Sequence, residues 1–237
     1  MDTRQDDVIV VAAAGMDFEA KVAQGLGVDV VYGQNRARYR YDLNARIDAG
    51  ARGIISFGIA GGLAPHLKPG DVVVASAVVT ANGSYKTCPI WTTALRFALP
   101  HADYRPVFGS VFPALTVFEK KALWNATGSA TIDLETGDVA EVADRRGVPF
   151  AVVRIVLDPA HREIPISALA GATDDGRTDA LAVARALLRR PRDFVGLLRL
   201  ANDSRAANKS LRLCREALGP NLGFRERFPI ELPLAAE

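Results

Sequence analysis

The chain has 237 residues, 49% of them hydrophobic and 24% charged, with a formal net charge of +2. This globular composition excludes a disordered chain, the length suits one α/β domain with a full core, and the small charge argues against a nucleic-acid binder. Cys88 and Cys214 lie far apart, which excludes a disulfide scaffold or zinc knuckle.

The elements read as follows in chain order. Residues 8–13 (VIVVAA) form a first buried strand. Asp2, Asp6 and Asp7 precede it, opposite to the basic start of a secretory signal, so a cytoplasmic protein is expected. No run reaches the 18 or so apolar residues of a membrane span. Helices are expected at 19–26 and at 37–49, the latter stopped by Gly50. Further β-branched strands fall at 53–57, 71–79 and 150–157, with weaker ones at 104–111 and 129–134. Thr136 caps a helix over 136–146, ended by Gly147 and Pro149. This alternation predicts a three-layer α/β/α sandwich around a mixed, largely parallel sheet.

After about residue 178 the pattern is purely helical. Leu181, Ala184, Leu187 and Leu188 share one face; Pro191 interrupts; Phe194, Leu197, Leu198 and Ala201 repeat the period. Between Arg177 and Arg227 stand twelve Lys or Arg against five Asp or Glu, a local net of +7. The expectation is a single domain over 1–237, with 178–227 as a basic helical C-terminal extension.

Ligands of open α/β sheets bind at the carboxyl ends of the strands. Four such ends carry chemistry here: the 15–19 segment GMDFE, the 58–62 segment GIAGG, Asp133-Leu134-Glu135-Thr136, and Asp158-Pro159. The last two belong to one strand–helix–strand crossover. A right-handed crossover with parallel strands opens Glu135 and Asp158 onto one rim. Two carboxyls there suit general-acid work and polyol binding; both equally suit caps of helices or turns. Gly58, Gly61 and Gly62 allow close backbone approach. Their spacing is neither that of a dinucleotide fingerprint nor that of a phosphate loop.

Taken together, GMDFEA (15–20), SFGIAGGLAPHLKPGDVVV (56–74) and IDLETGDVAEVADRRGVPFAVVRIVLD (132–158) resemble the nucleoside phosphorylase and nucleosidase superfamily. This is the type that includes purine nucleoside phosphorylases and methylthioadenosine/adenosylhomocysteine nucleosidases. LDPAHREIP (157–165) and RALLRRPRDFVGLLRLANDS (185–204) are similar to the hopanoid-associated phosphorylases.

The resemblance implies release of adenine from a 5′-substituted adenosine, foremost adenosylhopane, by phosphorolysis or hydrolysis. The alternatives are a methylthioadenosine/adenosylhomocysteine nucleosidase, a purine nucleoside phosphorylase, or a non-catalytic nucleoside- or lipid-binding relative. By the same resemblance, Asp158 protonates or hydrogen-bonds the purine N7. Glu135, beside Leu134, takes the ribose 2′ and 3′ hydroxyls, and Glu19 activates water in the nucleosidases. Gly58, Ile59 and Gly61 line the nucleophile site.

Two positions depart from the family pattern: Leu134 replaces a common Met, and Ile59 replaces a Ser whose hydroxyl meets phosphate or water. Arg38, with Arg36 and Arg40, is then a candidate phosphate ligand by residue type alone. Met16, Phe112, Leu115 and Trp91 are candidates for the base or aglycone pocket, core packing being the other reading. The chemistry requires Asp158 to hold a proton near neutral pH and Glu135 to stay ionised.

His66, His101 and His161 show no metal spacing, so no metal or cofactor is expected, with phosphate as a co-substrate. The expected partners are a small or lipid-linked adenosine substrate and further copies of the chain. Peripheral membrane contact is expected through the basic C-terminal helices.

Overall fold

The computed structural model describes residues 10–171 and 173–225. In chain order the main elements are β1 (Val10–Ala14), α1 (Asp17–Ala23), β2 (Val28–Tyr32), α2 (Arg36–Asp48), β3 (Gly53–Gly62), β4 (Val72–Thr80), β5 (Gly83–Lys86), α3 (Pro89–Ala98), β6 (Asp103–Gly109), α4 (Val117–Thr127), β7 (Thr131–Asp133), α5 (Thr136–Arg146), β8 (Phe150–Asp158), α6 (Ile166–Leu169), α7 (Ala180–Arg189) and α8 (Phe194–Leu218). Residues 8–9 of the expected first strand, the acidic residues before them and the end of the basic extension at 226–227 lie outside the described residues.

Successive side chains of β1 face opposite ways, as a strand requires, and enter two different cores. Val11 and Ala13 pack with Tyr39 and Leu43 of α2 and Val139 and Val142 of α5. Val10 and Ala12 pack with Trp91 and Leu95 of α3 and with Ala207, Leu211 and Leu218 of α8. The sheet thus carries helices on both faces, which is why its central strands are apolar without alternation.

The sheet has eight strands and is mixed, with parallel pairings predominating. β3 runs parallel to β1 and β8 but antiparallel to β7, which runs parallel to β6. β8 and β7 therefore run in opposite senses and do not pair. This corrects the expectation of a parallel crossover. Glu135 and Asp158 still reach one place, because the end of β3 pairs with both strands: Gly61 is opposite Ile132 of β7 and Asp158 of β8.

Other boundaries differ from the sequence reading. β3 continues through 58–62, which read as a loop; the small residues let β8 and β7 close on it, with a register shift between Ala60 and Gly61. Thr136 is the first helical residue of α5, not its cap. The Asp133 carboxylate instead accepts from the Glu135 and Thr136 amides at 3.0 and 2.7 Å. Gly147 does end α5 in the left-handed conformation.

α8 turns Ala207, Leu211, Cys214 and Leu218 into the body. The apolar stripes read on α7 and on the start of α8 face largely outward. Leu181 and Leu188 of α7 and Phe194, Leu198 and Ala201 of α8 are exposed, and α7 has no buried residue. Among the described residues no helix is long and apolar enough to cross a membrane.

Candidate active site

A pocket of about 200 Å³ lies where the ends of β3, β7 and β8 meet the β1–α1 turn. Glu19, Glu135 and Asp158 all line it, together with Met16, Ile59, Gly61 and Leu134.

Glu19 sits in the first turn of α1 and is buried. Its Oε2 accepts from the Gly15 and Met16 amides at 2.9 and 2.7 Å, and its Oε1 from the Ile59 amide at 2.7 Å. The backbone at Ile59 thus supplies a donor although its side chain has none. Burial raises the Glu19 carboxyl above its ordinary range, against the pull of Arg154 and the three amides.

Arg154, in the middle of β8, is fully buried beneath the pocket. Its Nη2 donates to Ser56 Oγ (2.6 Å), Thr136 Oγ1 (2.7 Å) and Asp133 Oδ1 (3.0 Å), and its Nε to Asp133 Oδ2 (3.0 Å). Nη2 also lies 3.8 Å from Glu135 Oε2. Nη1 has no partner. Gly58 stands opposite Arg154 on β3 and lies beneath the pocket wall.

Glu135 follows β7 and is positioned by the Asp133 turn. A Cβ at Gly15 would fall 2.5 Å from Glu135 Oε1, so glycine is what lets the carboxyl approach that backbone. Burial drives the Glu135 carboxyl up to about 8; Arg154 opposes this, and Asp133 and Glu19 add to it.

Asp158 ends β8 and is 4% exposed. Its Oδ2 forms an ion pair with Lys120, which reaches in from α4 and is itself fully buried. Lys120 Nζ also donates to the carbonyls of Arg162 (2.7 Å) and Pro159 (3.1 Å). Burial raises the Asp158 carboxyl above its ordinary range, and Lys120 opposes the rise.

Six residues offered as site candidates lie elsewhere. The Arg38 side chain is 82% exposed and pairs with Asp42, because its position on α2 faces solvent. Arg36 and Arg40 are both held by Asp138 of α5. Phe112 is 75% exposed, and Leu115 does not line the pocket, although its neighbours Pro113 and Ala114 do. Trp91 is core, its Nε1 donating to the Leu222 carbonyl at 3.0 Å.

Lys120 and Arg154 escaped the sequence reading, as did Gln34, which joins the lining. An arginine inside the otherwise apolar run FAVVRIVLD was a usable signal, since a charge buried on a central strand needs partners. Lys120 gave none: it is one of two adjacent lysines, and only the fold turns it inward.

The arrangement sets the carboxyls of Glu19, Glu135 and Asp158 around one cavity. A family model for the phosphorylase superfamily matches residues 8–189. Among solved structures, the chain is similar to the 5′-methylthioadenosine/S-adenosylhomocysteine nucleosidase of Helicobacter pylori bound to butyl-thio-DADMe-Immucillin-A. Identity is 14%, coverage is 88% of this chain and 95% of that one, and the TM-score is 0.62. It is also similar to the S-adenosylhomocysteine nucleosidase of Streptococcus pyogenes in complex with 5-methylthiotubericidin (18% identity, 67% and 86% coverage, TM-score 0.57). A mutant futalosine hydrolase of Helicobacter pylori matches at 16% identity, 63% and 87% coverage and TM-score 0.55. At these identities the likeness is one of fold.

Proposed function

The chain belongs to the phosphorylase superfamily, and from that premise we propose that it hydrolyses a 5′-substituted adenosine at the N-glycosidic bond and releases adenine. One observation carries the choice of water over phosphate. Among the described residues the pocket lining holds four carboxyls, those of Glu19, Asp133, Glu135 and Asp158, and no Lys or Arg. A phosphate dianion would find no cationic side chain in that lining to hold it, whereas water needs only a base.

In this reading Asp158 gives its proton to purine N7, so adenine leaves neutral. Glu135 accepts from the ribose 2′ and 3′ hydroxyls, which favours its ionised form once substrate is bound. Glu19 takes the proton of the attacking water. Met16, Ile59, Pro113, Ala114, Leu134 and Ile164 give the lining its apolar surface, which suits an apolar 5′ substituent. Adenosylhopane is the first candidate and methylthioadenosine the second.

A lipid-linked substrate also gives the exposed edge of α7 and α8 a role. Leu181, Leu188, Phe194, Val195 and Leu198 are exposed there, beside Arg189, Arg190 and Arg192. This edge adjoins the pocket wall: Ile164 lines the pocket, Gly196 lies against Pro165, and Asp193 accepts from the Ser167 hydroxyl at 2.6 Å. Basic and apolar side chains together fit an anionic membrane surface.

The deciding experiment measures adenine release from a panel of 5′-substituted adenosines, with and without phosphate. Release from at least one member, undiminished without phosphate, is expected. Binding without release would make the chain a non-catalytic relative, and strict phosphate dependence would make it a phosphorylase.

A further inference from the structure

Asp158 is not a lone carboxyl in an apolar wall. Its Oδ2 is engaged by an ammonium from a different element, α4, and that ammonium is one of the largest fully buried side chains. All three N–H donors of Lys120 have acceptors: Asp158 Oδ2, Pro159 O and Arg162 O. A buried cation is costly unless paired and fully hydrogen-bonded, and this one meets both conditions. From the geometry we infer that Lys120 is the positioning residue of the acid: it fixes the Asp158 carboxyl with Oδ1 left for the pocket and stabilises the carboxylate that proton donation creates.

The inference rests on the hydrolytic reading above and deepens it. Asp158 Oδ1–H transfers its proton to purine N7. The C1′–N9 bonding pair passes to the purine, which leaves as neutral adenine. Water adds to C1′ and its proton goes to Glu19; solvent exchange then takes that proton from Glu19 and returns one to Asp158. At the moment of transfer a negative charge appears on Asp158, directly against the Lys120 ammonium. An opposite charge that grows more favourable along the reaction lowers the barrier; one that binds substrate and transition state equally does not.

Other charges face the same carboxyl. Asp203 of α8 lies behind it and is itself tied to the Arg162 guanidinium. Glu19 and Glu135 stand across the pocket. All these acids disfavour a new negative charge, so Lys120 is the cation in direct contact that offsets them. Burial raises the Asp158 carboxyl and Lys120 restrains the rise. Removing the cation should therefore leave Asp158 protonated to higher pH but a weaker donor.

The test compares wild type with Lys120→Met, Lys120→Gln and Lys120→Arg on two substrates. One is methylthioadenosine, whose base needs a proton. The other is a nitrophenyl riboside, whose leaving group departs as the anion. Lys120→Met should lose about 10²-fold in kcat on methylthioadenosine, within the range of a general acid's contribution, and only a few-fold on the riboside. Its KM should change little, and the alkaline limb of kcat/KM should move up by about one pH unit, the shift of an unpaired carboxyl. Lys120→Arg, which keeps the charge, should recover part of the loss. If Lys120→Met does not fold, Lys120→Gln carries the same comparison. A folded, uncharged variant that slows both substrates equally, or keeps its alkaline limb, overturns the inference. Wild type that releases adenine from no member of the adenosine panel sinks the hydrolytic reading instead. A carbon-13 NMR titration then still decides the pairing, since Asp158 must titrate higher without Lys120.

Discussion

Gly58 faces Arg154 across the β3–β8 ladder, and a Cβ on Gly58 would fall 2.8 Å from Arg154 Nη1 and 2.5 Å from Glu19 Oε1. One missing side chain thus lets a buried cation and a buried carboxyl close on the same strand. Neither can retreat, because Arg154 is tied to Ser56, Asp133 and Thr136 and Glu19 to three amides.

Gly58→Ala should therefore destabilise the protein by about 1–3 kcal/mol, the usual cost of overpacking. It should also reduce activity at temperatures where the fold persists. Thermal unfolding and turnover at 20 °C check both; an unchanged melting temperature contradicts the packing argument.

Glu135→Gln should weaken cleavage of ribosides far more than of 2′-deoxyribosides. A carboxylate accepting two hydroxyls is worth more than a neutral amide, and the deoxy sugar offers one hydroxyl fewer. The ratio of kcat/KM values for the two sugars is the readout. A mutant that keeps the wild-type ratio removes Glu135 from the ribose site.

The same substitution has a stability signature. Burial holds the Glu135 carboxyl up at about 8 in the folded pocket, well above the ordinary glutamate range. Folding then favours the protonated form, so the wild type loses stability as pH rises from about 4.5 through 8. Glu135→Gln, which cannot ionise, should melt a few degrees above wild type at pH 9, each kcal/mol being worth roughly 2–4 °C in a chain of this size. The two should converge at pH 4. A gap of equal size at both values would trace to packing, not ionisation.

Glu19 must be ionised to take a proton from water. Because burial raises it, activity should fall as pH drops through a value above the ordinary glutamate range. Glu19→Gln should lose about 10²-fold or more and with it this acidic limb. Product analysis should show the free sugar. A ribosyl phosphate as product would return the nucleophile to phosphate.

Liposome co-sedimentation addresses the α7–α8 edge. Binding to anionic vesicles is expected at low salt, weakening at high salt, with each basic residue contributing about 1 kcal/mol. Arg189, Arg190 and Arg192 replaced by Gln should release the protein. No binding at low salt would leave these arginines as ordinary surface charges.

The parts of the site legible in the sequence are those set by neighbours along the chain. Glu19, Glu135 and Asp158 follow strands whose apolar runs are plain, and their order resembles a known family. The β7–β8 sense was not legible, since strand direction depends on which edge each strand joins, and β3 accepts both. Lys120 and Lys121 are adjacent and identical, yet only Lys120 turns inward, toward an aspartate 38 residues away. What covers the α7 stripe was not legible, because exposed leucines obey the helical period as well as buried ones. Periodicity reports a stripe, not what covers it.

Gly61 has Ile132 and Asp158 as its partners in two different ladders. The span between the strand ends that carry Glu135 and Asp158 is therefore set by main-chain pairing, which side-chain replacement leaves intact. The lining at Pro113, Ala114 and Ile164 belongs to connecting segments outside the sheet. Bond-breaking and substrate choice are thus housed in separable parts of the chain. A lineage could trade one 5′ group for another by rewriting those connections while the distance across which the bond is cut stays the same.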